Sequence, residues 1–295
     1  MGGESRDARW AGTRSVRVRE VTLNVDVVGD GPPVLVMHGG PSADLWSVAA
    51  FRQLADAFTM VFYDHRCNGR SGGVVDSFTW ENLAADADAL RACLGVDRWA
   101  VLGHSFGGHV ALEYALRYPD RVSCLVLVDT AADSWWAREP LPTLLTSRGY
   151  PSGKVDLVRR WFHGDFTRWE YLPIFVQISD IYDAHPSWRR QVRRMREHGW
   201  RARLRPRALI AAGRGLLDGW SVVDRLGDID VPTLVLAGRE DVLFPPECQH
   251  QLAEGIPDAH LLLVDHAGHN PHDEQRPVVL RAVRQFLASS PTAPD

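Results

Sequence analysis

Lysine is almost missing from this chain. Lys154 stands alone among 33 basic residues, so arginine carries nearly all the positive charge, a bias of genome composition more than of mechanism. Cysteine is scarce as well. Cys67, Cys93, Cys124 and Cys248 lie far apart with no C-x-x-C pair. That spacing excludes a disulfide framework and a cysteine-rich zinc site, and it suits free thiols in a reducing, cytoplasmic compartment. No apolar run reaches the roughly 20 residues that a membrane-spanning helix needs. Met1 to Arg14 is polar and lacks the apolar centre of a secretion signal. A net charge of −4 over 295 residues gives no general attraction for nucleic acid or an anionic membrane. These exclusions leave a small molecule or a short peptide as the expected partner, and nothing in them sets an oligomeric state.

Short apolar runs bounded by Gly, Asp, Pro or His recur along the chain: Val34 to Met37, Met60 to Tyr63, Ala100 to Leu102, Leu125 to Val128, Leu234 to Leu236 and Leu261 to Val264. Unbroken apolar runs of this length suit strands buried on both faces, as in a parallel sheet between helical layers. Ser15 to Arg19 and Leu23 to Val28 alternate more and read as an antiparallel entry hairpin. Thr79 to Leu94 and Pro277 to Leu287 carry helical spacing. The pattern is that of an α/β core over residues 15–130 and 222–288. Residues 131–221 interrupt it with no clear strand and read as an inserted helical cap. That segment holds Trp135, Trp136, Trp161, Trp169, Trp188, Trp200 and Trp220, as the lining of a cleft or as the glue of a helical subdomain. Arg189 to Arg207 reads as a solvated basic helix face. Residues 1–14 and 289–295 read as flexible tails.

Gly103-His104-Ser105-Phe106-Gly107-Gly108 follows the strand-like Trp99 to Leu102 and leads into the helix-like Val110 to Tyr118. G-x-S-x-G between strand and helix is the pattern of a nucleophile elbow, where a strained turn exposes the serine and bulky neighbours would collide with strand and helix. A serine needs a base to take its proton and an acid to orient that base. After the last strand-like run comes Asp265-His266-Ala267-Gly268-His269-Asn270, and His269 is the expected base because Gly268 frees the backbone before it. His266 and His272 are its rivals. The acid belongs at the end of the preceding strand, which points to Asp241, with Asp129 and Glu240 as alternatives. Charge developing on a carbonyl oxygen needs two fixed donors. The N–H of Phe106 supplies one, and the turn His38-Gly39-Gly40-Pro41 supplies the other through Gly40, with Gly39 second, since Pro41 has no N–H. This chemistry requires no metal and no organic cofactor.

Together these residues resemble the α/β-hydrolase superfamily from about Ser15 to Ala288. His38-Gly39-Gly40-Pro41 and Tyr63-Asp64-His65-Arg66-Cys67-Asn68-Gly69-Arg70-Ser71 are similar to the H-G-G-P-G and D-Q-R-G-x-G-x-S motifs of its proline iminopeptidase branch. Ser42, His65 and Cys67 depart from those motifs, and His104 stands where that branch often has glycine. The resemblance implies a mostly parallel sheet flanked by helices, a helical cap, and the serine, aspartate, histidine order found here. It also implies that acids of the cap hold a free amino group: Glu170, beside Trp169, and Glu197, with Asp180 and Asp183 behind them. Trp135 and Trp169 are expected at the same substrate site. The expected activity is a serine hydrolase cleaving the amide of a small N-terminal residue through an acyl-enzyme on Ser105. A carboxylesterase or lactonase for a small apolar substrate is the alternative, followed by a non-hydrolytic small-molecule binding protein or a carbon–carbon bond hydrolase.

Overall fold

The computed structural model describes residues 11–290. Its strands are β1 (Gly12–Val18), β2 (Val21–Val28), β3 (Pro33–Met37), β4 (Thr59–Tyr63), β5 (Trp99–His104), β6 (Val122–Val128), β7 (Thr233–Gly238) and β8 (Ala259–Val264). They form one sheet in the order β1-β2-β4-β3-β5-β6-β7-β8. β1 with β2 and β2 with β4 are antiparallel, and the remaining neighbours are parallel. This is the α/β-hydrolase class that the sequence implied. Helix α1 (Trp80–Leu94) lies between β4 and β5, α2 (Phe106–Arg117) between β5 and β6, α8 (Pro246–Gly255) between β7 and β8, and α9 (Pro271–Glu274) and α10 (Arg276–Ser289) follow β8. Helices α3 (Pro140–Ser147), α4 (Ser152–His163), α5 (Tyr171–Ile178), α6 (Trp188–Arg194) and α7 (Pro206–Ala211) fill the stretch from β6 to β7.

Two expectations about the edges change. β1 begins at Gly12 and pairs it with Val27, so residues 12–14 belong to the sheet and not to a tail. Ser289 likewise closes α10. Residues 1–10 and 291–295 lie outside the described residues. β8, whose apolar run suggested burial on both faces, is only half-buried over Leu261 to Leu263, because it is the last strand of the sheet.

Alternation within the parallel strands sorts their side chains into two layers. Val34 and Val36 of β3 join Phe51, Val279 and Val283 on one face, whereas Leu35 and Met37 join Leu83, Val110 and Leu112 on the other. A strand covered on both sides must be apolar at every position, which is why these runs show no polar alternation. A third cluster, with Trp161, Tyr171, Ile174 and Ile178 of the α3–α7 segment, packs on Leu243 and Phe244 beyond β7. The segment leaves and re-enters the core at one point, where Val222 N–H donates to Ala132 (2.8 Å) and Ser134 N–H to Trp220 (3.0 Å).

The Tyr63 to Ser71 motif braces the turn after β3. Asp64 accepts from the N–H of Leu45 (2.8 Å) and of Arg70 (2.7 Å) and from the Asn24 amide (3.0 Å). A β-carbon on Gly69 would lie 2.2 Å from Asp64 Oδ2, so only glycine closes this loop. Asn68 accepts from Ser42 N–H at 2.7 Å. Arg66 grips Asp86 of α1 with two bonds of 2.7 Å, and both side chains are buried. Removing Asp86 leaves the buried guanidinium with the exposed Glu20 (2.8 Å) as its remaining counter-charge. Asp86→Ala should therefore lose about 3 kcal/mol of stability, measured by urea unfolding at pH 7. An unchanged midpoint would contradict this role.

Candidate active site

β5 ends at His104 and α2 begins at Phe106, so Ser105 is the whole corner between them. Its backbone sits at φ 55°, ψ −122°, a region that costs a non-glycine residue on the order of 1–3 kcal/mol. Neighbours hold it there. Ser105 N–H donates to Val128 (2.9 Å), and its carbonyl accepts from Gly108 N–H and from the Thr130 hydroxyl (both 2.8 Å). The flanking glycines are steric necessities: a β-carbon at Gly103 would lie 2.4 Å from the Gly107 carbonyl, and one at Gly107 would lie 2.2 Å from the Met37 carbonyl.

Three segments far apart in sequence converge at this corner. His269 Nε2 is 2.9 Å from Ser105 Oγ, and His269 Nδ1 is 2.8 Å from Asp241 Oδ2. All three residues are buried. Asp241 Oδ1 accepts from Leu243 N–H at 2.8 Å, which fixes the carboxylate's orientation. A carboxylate at Nδ1 makes that nitrogen the donor and leaves Nε2 free to accept the serine proton. His104, which the sequence offered only as a variation, binds the His269 carbonyl through Nε2 at 2.9 Å. Glu274 accepts from Gly268 N–H at 2.8 Å and so holds the same loop from below.

Gly268 has a different role from the one expected. Its φ is not positive; instead a β-carbon there would come within 2.7 Å of Ala184 N, so glycine admits the segment Asp183–Ala184 against the His269 loop. His266 is exposed and lies 3.9 Å from Glu240, which also meets His185 at 3.7 Å. His272 lies under His104, with Nε2 3.2 Å from the Ser47 carbonyl. Asp129 is buried behind Asp241 and accepts from Gly238 N–H at 2.8 Å. Burial, reinforced by the Asp241 charge, pushes the Asp129 carboxyl well above the usual carboxylate range.

Gly40 and Phe106 both line the cleft that contains Ser105. No acceptor among the described residues takes the backbone N–H of either. The cleft has a volume of about 690 Å³ and opens between the sheet edge and the α3–α7 segment. Apolar groups dominate its upper wall, including Phe162, Phe175, Val176, Leu204 and Leu209. Tyr171 reaches down from α5 to Ser42 (2.8 Å between hydroxyls), tying the upper wall to the turn after β3.

The four substrate-binding residues expected in the cap stand outside this lining. Glu170 directly precedes α5, and Arg160 and the hydroxyl and N–H of Thr167 occupy its oxygens and hold its carboxyl down at about 2. Glu197 pairs with Arg276 at 3.2 Å. Trp169 is 75 % exposed beneath Arg168, and Trp135 is 53 % exposed against Trp136. Asp180 is bound by Lys154. Asp183 does line the cleft, together with Asp273, but Arg194 bridges the two at 3.1 and 2.6 Å. Asp44 also lines it, and burial raises its carboxyl to about 6.

The chain belongs to the alpha/beta hydrolase fold family, whose model matches residues 32–275. It is similar to proline iminopeptidase PfmaB of Pestalotiopsis fici, 28 % identical over 88 % of this chain and 92 % of that one. It is also similar to a putative carbamate hydrolase, RutD, of Variovorax paradoxus, 30 % identical over 92 % of this chain and 99 % of that one. Among solved structures, an esterase from Exiguobacterium antarcticum superposes with a TM-score of 0.78 at 22 % identity, covering 94 % of this chain and 100 % of that one, a likeness of fold.

The raised Asp129 carboxyl has a pH signature. The folded chain keeps this proton where the unfolded chain has released it, so the contribution present below about pH 4 fades as pH rises. Asp129→Asn keeps an acceptor for Gly238 and cannot ionise. The variant should gain about 1 kcal/mol or more over the parent between pH 4 and pH 8 in urea unfolding. A pH-independent difference would show that Asp129 is ionised in the fold.

Proposed function

We propose that this α/β hydrolase is a serine hydrolase working through an acyl-enzyme on Ser105, and that it takes a substrate with a small, largely apolar acyl group. The single observation that carries the reading is the chain of contacts at 2.9 and 2.8 Å from Ser105 Oγ through His269 to Asp241. In this mechanism Ser105 Oγ attacks the substrate carbonyl while its proton passes to His269 Nε2. Asp241 favours the resulting imidazolium and keeps the ring in its productive tautomer. The N–H groups of Phe106 and Gly40 receive the oxyanion. His269 then gives its proton to the departing alcohol or amine. Water attacks the acyl-enzyme along the same route in reverse, returning the proton to Ser105.

Within that chemistry an ester is favoured over an amide with a free amine. An ammonium bound in a partly desolvated cleft needs an uncommitted carboxylate. Glu170 and Glu197 are paired outside the lining, Asp183 and Asp273 share Arg194, and Asp44 is taken by the N–H groups of Trp46 and Arg203. Cleavage of an N-terminal residue stays as a second reading, supported by the motif resemblance, by relatives named proline iminopeptidase at 28 % identity and by Asp183 within the cleft. Nitrophenyl esters of two- to six-carbon acids, set against prolyl and alanyl arylamides and their N-acetyl forms, separate the two. Turnover of the esters, with the arylamides slow and indifferent to acetylation, is expected. Arylamide turnover that exceeds the esters and disappears on acetylation would establish the second reading. Ser105→Ala should lower kcat on the best substrate by on the order of 10⁶-fold.

A further inference from the structure

The floor of the cleft holds a polar group that the triad does not use. His109 lies on α2 four residues after Ser105, one turn along the same face, about 6 Å of helix axis. Its side chain is buried, it lines the cleft, and neither ring nitrogen has a hydrogen-bond partner. The surroundings are aromatic: Trp220 at 4.5 Å, Phe244 at 5.6 Å, Phe106 at 6.2 Å and Trp80 at 6.4 Å between ring centres. Burial, helped by the nearby His269, presses its pKa down to about 3, so the ring is neutral and offers one donor and one acceptor. Other buried histidines are spent on structure. His38, His104 and His272 each meet a backbone carbonyl.

An orphaned donor and acceptor in an aromatic box cost stability unless something polar fills the gap. On the acyl-enzyme reading given above, we propose that His109 is a substrate-binding residue that hydrogen-bonds an uncharged oxygen function, a ketone, hydroxyl or amide, on the acyl group. The leaving group departs toward His269, which must protonate it. The acyl portion stays bonded to Ser105 and is the part that can run along α2. One helical turn of separation sets the matching oxygen some three to four bonds beyond the scissile carbonyl. A charged group is disfavoured there, because the aromatic walls would strip its water without a counter-charge. His109 thus differs from the bonded acids of the cleft in having both ring nitrogens free to read the acyl group.

The test compares nitrophenyl 4-oxopentanoate with nitrophenyl 4-methylpentanoate, which differ by an oxygen in place of a methyl. Parent, His109→Phe and His109→Gln are each assayed for kcat/KM, and the ratio of the two esters cancels their intrinsic reactivities after subtraction of background. The ratio should fall about tenfold or more in His109→Phe, through loss on the oxo ester alone. His109→Gln, which keeps a donor and an acceptor, should stay within about threefold of the parent. An unchanged ratio in His109→Phe overturns the inference. If that variant loses its cooperative unfolding transition, His109→Leu carries the same comparison. Ester hydrolysis that persists in Ser105→Ala overturns the acyl-enzyme reading and this inference with it, whereas hydrolysis that Ser105→Ala abolishes leaves only the ratio to decide.

Discussion

The strained backbone of Ser105 is the constraint on which the other features hang. At φ 55° the residue turns β5 into α2 in a single step, so its hydroxyl stands clear of the sheet and the Phe106 N–H heads the helix. Nothing local favours this conformation. It is held by the bonds from Ser105 to Val128, Gly108 and Thr130 and by glycines that let α2 press against the carbonyls of Met37 and His38. A free energy of a few kcal/mol stored at one residue is available only because the two packed layers around the parallel strands supply it. The parallel order β3-β5-β6-β7-β8 also brings the loops after β7 and β8, with Asp241 and His269, to the same edge as Ser105.

Electrostatics at that edge follow from burial more than from net charge. His104, His109 and His272 are all driven toward the neutral form by burial, and the charged partner of the His269 ring is Asp241. Asp129 does the same for the acid side: burial and the Asp241 charge push its carboxyl toward the protonated form, which lessens the negative charge in one buried pocket. The acids that reach the cleft are already bonded. Arg194 takes Asp183 and Asp273, Arg276 takes Asp273 as well, and Asp44 accepts from the N–H groups of Trp46 and Arg203. The cleft is therefore a poor host for a free cation and a better one for an apolar acyl group.

Much of this was legible in the sequence, for reasons that can be stated residue by residue. Ser105, Asp241 and His269 were found because each sits at a strand's carboxyl end, where chain order and a short local pattern suffice. The strands were found because burial on both faces leaves unbroken apolar runs. Gly268 was noticed for the wrong reason, since close approach of Ala184 leaves the same mark in sequence as a left-handed backbone. The cap was hardest. Trp135 lies in the bend before α3, Trp169 and Glu170 in the turn before α5 and Glu197 in the short turn Met195–Gly199 after α6, and no hydrophobic periodicity reports which way such residues face. His109 was equally invisible, because a polar residue in a helix that also carries Glu113 and Arg117 reads as surface until the aromatic box around it is seen.

The most direct measurement of the central claim is the site of reaction with a fluorophosphonate, which modifies only a serine whose proton can be taken by a neighbouring base. The folded parent should acquire one adduct, mapped to Ser105 by peptide mass spectrometry, and His269→Ala should react far more slowly under the same conditions. Folded protein without an adduct on Ser105, or a His269→Ala variant that labels at the parent's rate, would contradict the account.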